Sequence, residues 1–170
     1  MCLKYLDESG FGLSLPPSYS WSPKGQQVTV PTRWRNAGRL NLLGTLSLGA
    51  TGETLEYHLL EGNCHKSDVI AYLDALAKQA ERTGLFTVVV LDNATFHRAK
   101  DVQAKRDSWE AQGLYLRYLP SYCPQLNLIE GVWRRLKGFL MPRRYYNSLA
   151  DLKEALLAAL ALLNAVNLQV

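Results

Sequence analysis

Residues 87–97, TVVVLDNATFH, constrain this chain more than any other stretch. A run of β-branched and aliphatic residues leads into a carboxylate, and Asn93 and Thr95 then break it. The pattern predicts a strand buried on both faces that ends where the chain turns. Side chains alternate along a strand, so Val88, Val90 and Asp92 share one face while Val89 and Leu91 share the other. Asp92 then projects beside core residues at the carboxyl end of a central strand, where open α/β sheets place their chemistry. The same residue serves equally well as the start of a turn or a helix cap. Its neighbours in sequence do not decide between the two.

Further elements come before and after it. Cys2–Asp7 reads as a first strand, with Leu3, Tyr5 and Asp7 on one face and turn chemistry at Glu8-Ser9-Gly10. A second carboxylate thus falls at a strand end, with Glu8 on the opposite face as the weaker candidate. Residues 11–36 carry four prolines and no sustained period, and read as irregular with a short strand at Gln27–Val30. Arg39–Leu48 and Thr54–Leu60 read as strands whose short connection permits only antiparallel pairing. His58, amid apolar neighbours, reads as structural.

Helices are predicted at His65–Thr83, closed by Gly84, and at Ala99–Gln112, closed by Gly113. Leu114–Leu119 is the fifth strand. A rigid turn at Pro120–Pro124 leads into a helix from Leu128 to about Leu140, with Ile129, Val132, Trp133, Leu136 and Leu140 as its apolar stripe. Glu130, Arg134 and Lys137 lie along the adjoining polar face. Asn127 as N-cap with Glu130 at N3 would form a capping box, which gives Glu130 a purely structural purpose. Ser148 caps a last helix carrying Leu149, Leu152, Leu156, Leu160 and Leu163.

Hairpin pairing puts the first strand centrally, and the crossover helix brings the fourth strand parallel beside it. The expected fold is α/β: a mixed five-stranded sheet, three antiparallel strands then two parallel, flanked by helices. Asp7 and Asp92 then converge on one sheet edge, with the helix of Glu130 alongside. Three carboxylates meeting at one point repel, and divalent cations relieve that repulsion. Oxygen-only ligands suit Mg²⁺ or Mn²⁺. Two such ions roughly 3.5–4 Å apart can activate an attacking oxygen and stabilise a leaving one in phosphodiester cleavage.

Four blocks carry a family resemblance: DESGF at residues 7–11, W-x-x-x-G at 21–25, LDNATFH at 91–97 and LPSYCPQLNLIEGVWRRLK at 119–137. Over nearly its whole length the chain resembles the catalytic domain of DDE transposases, in the bacterial insertion-sequence branch of the mariner superfamily. The resemblance implies a ribonuclease-H-like fold and a metal-binding catalytic triad of Asp7, Asp92 and Glu130. It implies cut-and-paste cleavage and strand transfer of double-stranded DNA, at transposon ends and target, by a homodimer. Leu128 stands where the family often has Pro. Relatives carry N-terminal helix-turn-helix domains that recognise the element's ends. Residues 1–170 are expected to be a single catalytic domain without one, and so without end recognition: one product of a split or frameshifted gene, with an upstream-encoded helix-turn-helix partner, or an excised piece, or a remnant.

The totals agree with these expectations. A chain of 170 residues with 48% hydrophobic and 20% charged residues suits one soluble domain. A net charge of +4 suits a polyanionic partner without requiring one. Arg33, Arg35, Arg134, Lys137, Arg143 and Arg144 are the candidate phosphate contacts. Trp21 and Trp34, interleaved with cations, suit base stacking or else plug the core edge. Three scattered cysteines without a CxxC pair argue against a disulfide framework or zinc finger. No signal peptide or membrane span of roughly 20 apolar residues is seen, so a cytoplasmic, nucleoid-associated bacterial protein is expected. Two rival classes remain: a transposase-derived module that holds DNA or a partner without cutting, and a phospho-acceptor signalling domain. The strand-rich first 60 residues oppose the second.

Overall fold

A central strand that must carry both core residues and an acid organises the architecture. In the computed structural model, residues 1–15, 22–26, 38–49, 52–94, 100–120, 123–141 and 145–170 are described. Strand β1 (Cys2–Gly12) pairs antiparallel with β2 (Arg39–Gly49), which pairs antiparallel with β3 (Gly52–Glu61). β4 (Thr87–Leu91) lies parallel to the other edge of β1, and β5 (Leu114–Tyr118) lies parallel to β4. A two-residue β6 (Val166–Asn167) adds to β3, so the sheet has six strands in the order β5-β4-β1-β2-β3-β6. The five expected strands and their directions are present. β6 was missed because two exposed residues carry no alternation to read.

Helices cover both faces. Alternate residues of β1 and β2 feed two separate cores, as the period of two requires. On one face Leu6, Leu43, Val89, Leu91 and Leu114 pack against α1 (Lys66–Thr83) and α2 (Lys100–Ala111). On the other, Phe11, Leu42, Leu46 and Leu55 pack against α3 (Ile129–Arg135) and α4 (Leu149–Leu162). Both long helices end as expected: Gly84 adopts φ 65° after α1, and the Ser148 side chain accepts from the Asp151 N–H at 3.1 Å to cap α4. α2 is anchored by Trp109, fully buried, whose indole N–H donates to Asp74 of α1 at 2.7 Å.

A charged network lies inside the α1 face. Lys4 of β1 pairs with Glu56 of β3, both about 6% exposed at the side chain. Gln79 donates to the other Glu56 oxygen at 2.7 Å, and Thr45 to the first at 3.2 Å. The Tyr72 hydroxyl donates to the Glu56 carbonyl at 3.1 Å. Every partner a buried carboxylate needs is thus supplied.

Three sequence readings are corrected. β1 does not end at Asp7: Glu8, Ser9 and Gly10 stay in the strand, opposite Leu43, Leu42 and Asn41. The burial of Ser9 and Phe11 against β2 overrides the local turn propensity of a Ser-Gly pair. The helix expected over 128–140 is α-helical only to Arg135 and continues as a π-helical turn over Leu136–Leu140. The capping box at Asn127 and Glu130 does not form; Leu128 holds the cap position and no side chain caps the helix. The short strand expected at Gln27–Val30 lies outside the described residues.

Candidate active site

Asp7 sits in the middle of β1, directly opposite Gly44 of β2. On its other side β4 pairs with β1 only as far as Tyr5↔Val90. Continuing that register by two residues brings Asp92 level with Asp7, on the same face of the sheet. Asp92 lies just past the end of β4 and is exposed. Its carboxylate accepts from the Ala94 N–H at 2.9 Å, so it also starts a turn, the bland role its residue type allows. The ends of β4 and β5 are tied together there: Leu119 N–H donates to Leu91 carbonyl at 2.9 Å, and the Asn93 amide donates to the Leu119 carbonyl.

The third carboxylate arrives on α3. Glu130 lies in its first turn. α3 sits on β1 through two side chains that the sequence reading assigned elsewhere. Trp133, taken there as an apolar stripe residue, donates its indole N–H to Asp7 Oδ2 at 3.1 Å. Asn127, taken there as a helix cap, donates its amide to the Leu6 carbonyl at 3.1 Å. The signal for the first contact is Gly44, a glycine among leucines in a central strand. A Cβ there would lie 2.8 Å from the Trp133 ring, so the indole occupies the space a side chain would take.

Burial, first of all, pushes the Asp7 carboxyl up to about 7, and the charges of Asp92 and Glu130 push the same way. The Glu8 backbone N–H and the Trp133 indole act against that rise. Glu8, on the opposite face, is likewise raised to about 7 by burial and then by Asp7 and Asp92. Cys64 is driven up to about 12 by burial, then by Glu8 and Asp68. Lys137 is one of the cations near Asp7, with Arg39 close to it. Its ammonium lies 5.0 Å from the centroid of the Phe11 ring. Burial lowers its pKa, while the nearby Asp7 charge raises it.

Two of the acids named from sequence, Asp92 and Glu130, are thus electrostatically coupled to the third, Asp7. Among the described residues, no three His, Cys, Asp or Glu side chains close around a common point as a metal cage. The donor set nevertheless suits a hard cation. All three groups offer oxygen, and Mg²⁺ keeps several waters and takes only one or two carboxylates plus substrate phosphate. Of the six candidate phosphate contacts, Arg134 is exposed on α3 and Lys137 half-buried near Asp7. Arg33, Arg35, Arg143 and Arg144 lie outside the described residues, as do Trp21, Trp34 and His97. Arg135, not proposed from sequence, is engaged with Glu53 at 3.2 Å.

An acid at the centre of a sheet ordered 5-4-1-2-3, with helices on both faces, defines a ribonuclease-H-like domain. The chain belongs to the DDE superfamily endonucleases, whose sequence profile matches residues 3–153. The fold is similar to the Mos1 transposase in its paired-end complex with the left transposon end, at TM-score 0.61 and 18% identity over 89% of this chain. A Mos1 mariner paired-end complex with Mn gives 0.60 at 18% identity, also over 89% of this chain. A simian T-cell lymphotropic virus intasome gives 0.54 at 15% identity, over 93% of this chain and 46% of the other. This chain spans 45% and 46% of the length of the two Mos1 chains. No curated protein sequence matches it. No helix among the described residues is long and apolar enough to cross a membrane.

Proposed function

We propose that this domain performs metal-dependent cleavage and strand transfer of double-stranded DNA, in cut-and-paste transposition of a bacterial insertion sequence. The observation that carries the reading is the state of Asp7: a carboxyl raised to about 7 by burial first, and then by the charges of Asp92 and Glu130, two acids from separate segments of the chain. A divalent cation reverses that unfavourable balance, and perturbed acids of this kind mark functional sites. Asp7, Asp92 and Glu130 would hold Mg²⁺ or Mn²⁺. When bound, a pair of such ions supplies activation of the attacking oxygen and stabilisation of the leaving one. Asp7 contributes a carboxylate already oriented by the Trp133 indole, and Asp92 one fixed by its turn. Glu130 contributes a carboxylate from the first turn of α3. Arg134 and Lys137 meet the phosphate backbone beside the acids. Sequence-specific recognition of element ends is assigned to a helix-turn-helix module acting with this domain, and the active form to a homodimer.

One experiment on two variants tests the chemistry. Nicking of a supercoiled plasmid should require Mg²⁺ or Mn²⁺. Asp92→Asn and Glu130→Gln should each reduce it by orders of magnitude while leaving metal-free thermal stability unchanged or raised. Retained nicking by both variants would remove the triad. Metal-independent DNA binding without nicking by the parent would identify the domain as a non-cleaving module.

A further inference from the structure

We infer that Asn127 and Trp133 are positioning residues, a two-point clamp that fixes the helix carrying Glu130 against the strand carrying Asp7. The inference rests on the metal-dependent reading above. Asn127 and Trp133 stand three residues before and three after Glu130, the first just ahead of α3 and the second within it. Their hydrogen bonds land on consecutive residues of β1, Leu6 and Asp7, both at 3.1 Å. Both clamp residues are buried, at 4% and 5% exposure. A buried amide or indole N–H needs an acceptor, and any backbone carbonyl would satisfy that need. Trp133 instead donates to a carboxylate of the acidic group itself, and Gly44 makes room for the ring that does so.

The consequence concerns order before binding. Asp7 is oriented by the indole before any cation arrives. Glu130 is held by a helix pinned on both sides of it. Cation binding then need not freeze two carboxylate-bearing segments against each other, a cost that weakens affinity when it must be met at that moment. Removing supports of this kind typically lowers metal affinity by about 10–100-fold.

The test measures Mn²⁺ binding to the full chain from the electron paramagnetic resonance signal of free Mn²⁺, alongside metal-free thermal melts. Trp133→Phe keeps a ring over Gly44 and removes only the N–H donor. It should weaken Mn²⁺ binding by about tenfold or more, with a metal-free melting temperature close to the parent's. Asn127→Ala leaves the indole in place and should weaken binding in the same direction; it decides the matter if Trp133→Phe does not fold. Parent-like Mn²⁺ affinity in a folded Trp133→Phe or Asn127→Ala variant overturns the clamp. If Asp7→Asn abolishes Mn²⁺ binding in that same experiment, the metal site stands without it. A parent that binds no Mn²⁺, or an Asp7→Asn variant that binds it as the parent does, overturns the metal reading and the clamp together.

Discussion

Asp7 and Glu8 are neighbours in sequence that face opposite sides of one strand, and both hold their protons to about pH 7. Unfolded, they would titrate near 3.8 and 4.5. The folded chain thus binds more protons than the unfolded chain between those values and about 7. These two groups therefore contribute stability to the metal-free protein that is lost as pH rises across that window. Asp7→Asn removes one of the two titrations while its amide oxygen can still accept from Trp133. Thermal melts in a chelator should show the variant gaining on the parent by several degrees more at pH 8 than at pH 4. An equal difference at both values would show that Asp7 carries no such penalty. The residue types themselves were legible: an acid in phase with core residues on a strand was read at both Asp7 and Asp92. Their mutual repulsion was legible too; the burial that dominates the rise at Asp7 was not, because it depends on β1 running on past Asp7 in register with β2 and not ending there.

At the level of elements, strand directions and helix limits followed from hydrophobic period and glycine stops, and α1 was located to within a residue. The errors came where tertiary contacts outweighed local preference. β1 runs through a turn-like Glu-Ser-Gly because β2 pairs with all of it. α3 starts without a side-chain cap because Leu128 holds the cap position, and the Asn127 amide N–H is directed to the Leu6 carbonyl of β1. Gly44 ties these elements together and gives a direct prediction. Gly44→Ala would place its methyl 2.8 Å from the Trp133 ring and 3.1 Å from the Glu56 carbonyl oxygen. With backbone on one side, the ring must yield, at a cost of about 1–3 kcal/mol. Chemical denaturation should register that loss, and Trp133 fluorescence should change with it. An unperturbed, fully stable variant would contradict the close packing of ring on strand.

Across the whole molecule, a net charge of +4 and cations beside an acidic edge suit a non-specific hold on DNA. If about four phosphates are neutralised, log affinity should fall against log salt with a slope near −3.6. Fluorescence anisotropy with duplexes of unrelated sequence checks this; a flat dependence, or strong preference for one duplex, would contradict it. The two cores that enclose the sheet are chemically unlike, and the difference has a consequence for which acid does the work. Asp7 and Glu8 are both carboxylates, so a strand displaced by one position would still present an acid toward α3, but the wrong one, a methylene longer and on a different backbone site. Apolar packing alone punishes such a slip through burial. Lys4 punishes it through charge as well, because the same slip would carry Lys4 to the opposite face and leave Glu56 of β3 buried without its cation. The ion pair in the α1 core thereby acts as a proofreading device for the opposite face of the sheet: it selects which of two adjacent acids lies toward α3.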